Sequence, residues 1–177
     1  MSDQYITKEY KELNRELYRT SEKFGNAVGD RWLPQIKELS DKVGGVITIL
    51  DYGCGRGNLV RTLNQEGFEA MGYDPAVEEW NNTPMDPVDM VVCCDVLEHV
   101  EYEFIEVTLD RLKRLATKAF FAVIALRPSD KTLADGRNAH ISLLSSEKWL
   151  SLLNSKFIGG RRLNRNTKSK IHYGWTR

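Results

Sequence analysis

Residues 49–59 read ILDYGCGRGNL. An apolar run ends in an acid, Asp51, and three glycines follow at every second position, Gly53, Gly55 and Gly57. Glycine in or beside a strand is destabilising by roughly 0.5–1 kcal/mol relative to alanine. A chain that gathers it where a strand stops is making room for something pressed against bare backbone. Outward from this turn, VITILDY on one side reads as a buried strand. Residues 57–66 on the other read as a helix with Leu59, Val60 and Leu63 on one face.

The same alternation continues downstream. FEAMGYD and DMVVCCD read as strands, residues 102–117 as a helix, AFFAVIAL as a further strand and residues 146–155 as a helix. Short strands near 158–164 and 170–176, joined by a basic turn, close the chain. Strands alternating with helices give an α/β domain with a mostly parallel sheet and helices on both faces. Upstream, Tyr10, Leu13, Leu17 and Tyr18 mark a helix within residues 5–22, and Trp32, Ile36 and Leu39 mark a second. The expected organisation is one domain over 1–177, with 1–44 a helical cap and 45–177 the sheet-bearing core.

Composition narrows the function. The 177 residues carry 25 basic and 25 acidic side chains, so net charge points to no polyanionic partner. The longest apolar run, residues 119–126, is too short to span a bilayer. The charged N-terminus has no apolar signal segment. The three cysteines, Cys54, Cys93 and Cys94, have neither zinc spacing nor an even count, which fits a cytoplasmic protein.

In an α/β sheet a ligand lies beyond the carboxyl ends of the strands, which is where Gly53–Gly57 falls. Asp74, ending the second strand 23 residues after Asp51, is placed to accept from both hydroxyls of a ribose. The dinucleotide fingerprint G-x-G-x-x-G needs glycine where this chain has Asn58, so a nicotinamide dehydrogenase is the lesser reading. A carboxylate at Asp51 suits the cationic methionine end of S-adenosylmethionine better than a pyrophosphate.

ILDYGCGRG resembles motif I of class I S-adenosylmethionine-dependent methyltransferases, GYDP their motif II, and DMVVCCDVLEHV the strand segment that follows. The resemblance implies a Rossmann-like fold and a cofactor site of Asp51, Gly53, Gly55, Gly57, Asp74 and Asp95. It spans residues 46–126, with one departure. After GYDP only AVEEWNNTPMDPV precedes the next strand, so the helix and strand that usually follow are expected to be reduced or missing. No adenine-contacting acid is then assigned, and Trp80 either covers the adenine face or anchors its loop on the sheet edge.

DVLEH, residues 95–99, is similar to segments of ubiquinone-pathway O-methyltransferases and small-RNA 2′-O-methyltransferases that can bind a divalent metal. By that resemblance Asp95, Glu98, His99 and, from a downstream loop, His140 would hold magnesium or zinc. Without a metal, Asp95, His99 and His140 are the catalytic candidates, a histidine serving as general base. Arg127, Asp135, Arg137 and Asn138 in the loop before His140 are candidate substrate contacts, unless the loop is only a solvated connector. Tyr5, Tyr10, Tyr18 and Trp32 are placed to cap the site over a small or flat acceptor.

The basic segment 161–177 has six Lys or Arg, no acid, and Tyr173 and Trp175. It reads either as a nucleic-acid contact or as a hairpin with buried aromatics. The expected activity is methyl transfer to an oxygen or nitrogen of a small molecule. An RNA or DNA methyltransferase and a non-catalytic S-adenosylmethionine-binding module are the alternatives. No N-P-P-Y-like tetrapeptide follows DMVVCCD, which disfavours methylation of a DNA-base amine.

Overall fold

A computed structural model describes residues 5–26, 30–84, 86–164 and 168–177. In chain order the elements are α1 (Lys8–Thr20), α2 (Leu33–Lys42), β1 (Thr48–Tyr52), α3 (Asn58–Gln65), β2 (Glu69–Tyr73) and β3 (Val88–Cys94). They continue with α4 (Ile105–Leu115), β4 (Ala116–Ala125), α5 (Ser146–Lys156), β5 (Arg161–Arg162) and β6 (Lys170–Thr176). One six-stranded sheet runs β2-β1-β3-β4-β6-β5. β2, β1, β3 and β4 pair in parallel, and β6 runs antiparallel to both β4 and β5. Residues 165–167, between β5 and β6 and including part of the expected basic turn, lie outside the described residues.

The sheet is covered on both faces, as its nearly continuous apolar strands require. Alternate strand residues divide between the two cores. Leu50, Val91 and Phe120 join Leu109, Leu112, Trp149 and Phe157 of the α4–α5 side. Ile49, Val92 and Phe121 join Trp32, Ile36, Leu39, Leu59 and Leu63 of the α2–α3 side. Phe120 and Phe157 stack with centroids 4.1 Å apart.

One feature departs from the expected organisation and one agrees with it. First, α2 packs into the sheet's own core through Trp32, Ile36 and Leu39, so it belongs to the helical layer rather than to a cap. Only α1 and the segment after it lie elsewhere. α1 starts at the capping hydroxyl of Thr7, and its Tyr10 and Leu17 pack with Leu133 and Ala139 of the loop after β4. Glu101 ties its start to the loop after β3, accepting from the Thr7 amide at 2.8 Å and hydroxyl at 2.7 Å. Second, the connection from β2 to β3 holds one short 3₁₀ turn, Glu78–Trp80, and β2 is the sheet edge. The shortened stretch after Asp74 thus removes both a crossover helix and a strand.

Candidate active site

A cavity of about 460 Å³ opens beyond the carboxyl ends of β1, β2 and β3. Its lining brings together Asp51, Gly53, Gly55, Asp74, Asp95, His99 and His140, which the sequence scatters over ninety positions. α1 and the residues before it contribute Tyr5, Tyr10 and Tyr18, α2's entry contributes Trp32, and the loop after β4 contributes Arg127, Ser129 and Lys131.

Asp51 is 4% exposed. Burial first, and then the neighbouring Asp74, push its carboxyl up to about 7. A buried carboxylate without a counter-charge is strongly disfavoured, so the neutral form is favoured here. Asp74 is also raised, chiefly by burial, but hydrogen bonds oppose the shift. Its Oδ1 accepts from the Ala76 amide at 2.9 Å. Its Oδ2 accepts from the Gly55 amide at 3.2 Å and the Tyr18 hydroxyl at 2.8 Å.

Gly57 lies outside the cavity. It has φ +74° at the start of α3, and a β-carbon there would meet the Trp80 ring at 2.7 Å. Trp80 also lies against Gly72. It therefore anchors the shortened connection on the sheet edge and does not line the cavity.

Asp95 follows β3 with φ +57°, a left-handed conformation in a non-glycine residue and a form of strain found at functional sites. Lys170 of β6 reaches its Oδ1 at 2.5 Å. Glu98 turns away from the cavity and is fully buried. Its Oε1 accepts from the Ala125 amide at 2.8 Å. Burial, and secondarily Asp95, push its carboxyl up to about 8, which favours the protonated form.

The His99 and His140 rings meet edge to face with centroids 4.7 Å apart. Burial and then the charge of His140 push His99 down to about 3, which keeps it neutral and makes it a poor base. His140 places Nδ1 2.6 Å from the Arg127 carbonyl oxygen. A carbonyl only accepts, so Nδ1 carries a proton, and in the neutral ring the lone pair is on Nε2.

These placements correct the metal expectation. Of the four residues, the two histidines come together, while Asp95 is paired with Lys170 and Glu98 is spent on the backbone of β4. Among the described residues no group of three or more His, Cys, Asp or Glu is placed to hold a metal ion. Magnesium or zinc does not fit this arrangement.

The long loop divides similarly. Arg127 lines the cavity, whereas Asp135, Arg137 and Asn138 do not. Asn138 braces the loop, accepting from the Ser129 and His140 amides at 2.9 and 3.0 Å, and Asp135 pairs with Arg137 at the surface. The basic C-terminal segment forms the β5–β6 hairpin with Tyr173 and Trp175 buried. Arg162 there bonds the Ser146 hydroxyl at 3.1 Å. Among the described residues no helix is long and apolar enough to cross a membrane, and all three cysteines are free.

The residues that sequence reasoning left without a role are Arg56 and Arg111. Arg56, within the glycine turn, donates to the carbonyl oxygens of Tyr18 at 2.7 Å and Phe24 at 3.3 Å. Arg111 of α4 is buried beneath Tyr5, Tyr52 and Tyr73 and donates to the Pro84 carbonyl at 2.8 Å, bracing the shortened connection from behind. An arginine inside a glycine motif was a visible signal; an arginine on a helix was not.

A family model described as "Methyltransferase domain" matches residues 24–158. No curated protein matches the sequence. Among solved structures the chain is similar to 1,6-didemethyltoxoflavin-N1-methyltransferase of Burkholderia thailandensis, which holds 1,6-didemethyltoxoflavin and S-adenosylhomocysteine. The identity is 15%, over 100% of this chain and 92% of that one, with a TM-score of 0.67. It is similar to an S-adenosylmethionine-dependent methyltransferase from Clostridium acetobutylicum at 12% identity, 92% and 98% coverage, and a TM-score of 0.67. It is also similar to magnesium protoporphyrin IX methyltransferase from Synechocystis with bound S-adenosylmethionine, at 16%, 98% and 100%, and 0.56. At these identities the likeness to solved structures is one of fold.

Proposed function

The chain belongs to the methyltransferase-domain family of class I S-adenosylmethionine-dependent enzymes, and from that premise we propose that it methylates an oxygen or nitrogen of a small-molecule acceptor. The observation that carries the reading is the single cavity in which Asp51, Asp74 and the Gly53–Gly55 backbone face His140.

S-adenosylmethionine supplies an electrophilic methyl on a sulfonium, and transfer is one in-line displacement by an acceptor lone pair. The protein's part is to hold two reactants in attack geometry and to take up a proton. Asp51 faces the cationic methionine end, and binding of that cation returns the carboxyl to its ionised form. Asp74 receives the ribose hydroxyls. Gly53 and Gly55 let the ligand lie close to the turn. Asp95, fixed by Lys170, borders the place where the methyl is exchanged. His140, with Nδ1–H held by the Arg127 carbonyl, offers Nε2 to the acceptor's proton.

The enclosure supports a small acceptor. α1 lies over one side of the cavity and the loop after β4 over the other, and the two are joined through Tyr10, Leu17, Leu133 and Ala139. A polymer would need that contact opened. The Burkholderia and Synechocystis structures are of enzymes named for 1,6-didemethyltoxoflavin and magnesium protoporphyrin IX, both small molecules. A nucleic-acid acceptor loses support, because Tyr173 and Trp175 are core residues and Lys170 is paired with Asp95.

Calorimetric titration with S-adenosylhomocysteine tests the cofactor site. The expected result is micromolar binding that Asp74→Ala weakens at least about tenfold, since two hydrogen bonds to a charged acceptor are lost. Undiminished binding by Asp74→Ala would remove the assignment. Transfer of a labelled methyl from S-adenosylmethionine into the low-molecular-weight fraction of a cell extract, rather than into nucleic acid, tests the acceptor class.

A further inference from the structure

The Asp74 carboxylate, assigned above to the ribose, already has three donors. The Ala76 and Gly55 amides belong to the turns that build the site. The third donor, the Tyr18 hydroxyl at 2.8 Å, is brought in by α1 from 56 positions away. A carboxylate oxygen accepts about two hydrogen bonds. Oδ2 holds the Gly55 amide and the Tyr18 hydroxyl, so it is filled. A ribose diol presents two O–H donors to the same carboxylate, and one of them needs the position that the Tyr18 hydroxyl holds.

The local backbone is shaped around this contact. Gly25 has φ +63°, and a β-carbon there would lie 2.4 Å from the Tyr18 ring, so only glycine lets the ring close. The Gly25 carbonyl lies over Gly55, 2.6 Å from where a β-carbon of Gly55 would be. It accepts from the Arg56 amide at 3.0 Å. The Arg56 side chain holds the Tyr18 and Phe24 carbonyls on either side. The segment from Tyr18 to Gly25 thus lies against the glycine turn itself, on backbone that the sequence reserves for a ligand. Tyr18 and Gly25 also line the cavity, so the contact stands inside the binding space.

We propose that Tyr18 is a gate on the cofactor site: its hydroxyl stands on Asp74 at the place one ribose hydroxyl needs, and an adenosyl ligand must displace it to bind. The proposal rests on the assignment of Asp74 to the ribose. The displaced hydroxyl moves with the segment that Arg56 tethers, so binding opens the contact between α1's end and the glycine turn. Tyr18 then limits affinity and association rate instead of contributing to them.

Titration of wild type, Tyr18→Phe and Asp74→Asn with S-adenosylhomocysteine, by calorimetry and by stopped-flow fluorescence, tests the gate. Tyr18→Phe keeps the ring and its packing and removes only the competing donor. It is expected to bind about tenfold tighter or more, with faster association, because a bond to a charged acceptor no longer has to be broken. Its ligand-free form should melt lower than wild type and gain more from the ligand. Asp74→Asn should bind weakly whether or not Tyr18 is also replaced. Equal or weaker binding by Tyr18→Phe, with wild type binding normally, would overturn the gate and leave the cofactor site standing. Absence of binding by wild type and Tyr18→Phe alike would overturn the cofactor site, and the gate with it.

Discussion

Replacing Asp51 with asparagine should make the protein more stable and less able to bind its cofactor, and the gain in stability should depend on pH. Asp51 is 4% exposed, and burial with Asp74 beside it pushes the carboxyl up to about 7, against an ordinary value near 3.8. The folded protein holds this proton more tightly than the unfolded chain. Stability associated with the protonated form is complete below about pH 3.8 and is lost as pH rises through about 7. At 1.36 kcal/mol for each unit, the gap amounts to about 4 kcal/mol above pH 7, as an upper bound. Asparagine is nearly isosteric and never ionises. Urea unfolding at pH 5 and pH 8.5 should show Asp51→Asn gaining on wild type between the two by at most about 2.7 kcal/mol, because the unfolded chain is already ionised at pH 5 and roughly 1.7 kcal/mol of the gap is lost by then. Glu98 titrates in both proteins, and Asp74 is coupled to Asp51, so the difference between the variants reports the Asp51–Asp74 pair. The same substitution should weaken S-adenosylhomocysteine binding, and wild-type binding below pH 7 should release a proton, seen as calorimetric heats that vary with the buffer. A stability difference that stays constant from pH 5 to 8.5 would refute the argument that burial favours the neutral form of Asp51.

Three further outcomes are expected. His99, pushed to about 3 by burial and by His140, should stay neutral from pH 5 to 8, which histidine ring NMR shifts can follow; a midpoint near 6.5 would mean the ring is not enclosed as described. Strong chelation should leave methyl transfer and S-adenosylhomocysteine affinity unchanged, because Asp95 and Glu98 are engaged elsewhere; loss restored by magnesium or zinc would reinstate the metal. Gly57→Ala combines a strained φ of +74° with a β-carbon 2.7 Å from Trp80, and should destabilise by about 1–3 kcal/mol in thermal or urea unfolding; a neutral effect would show that Trp80 does not anchor the connection there.

The division between what was legible in the sequence and what was not follows from range. β1, α3, β2 and β3 could be read within a residue or two, and β4 within three, because each carries its own period and its own stop, and the missing strand after Asp74 could be read from thirteen intervening residues. Asp51 and Asp74 could be placed because strand ends in a parallel sheet converge without further information. The acceptor side obeys no such rule. Nothing within DVLEH tells a metal-binding turn from one whose glutamate caps a strand, since that depends on whether the Ala125 amide, 27 positions away, needs an acceptor. Nor does the periodicity of α1 show that Tyr18 reaches Asp74, because a helix pattern gives the apolar face and not the docking of that face. The sequence did carry a trace of that docking in Arg56. A glycine turn that closes only on a small ligand has no use for a guanidinium in its middle, whereas one that must also hold a neighbouring segment by its carbonyls does. The residue between Gly55 and Gly57 therefore marks this turn as the docking place of the chain's own N-terminal segment, and the competition proposed for Tyr18 starts from that docking.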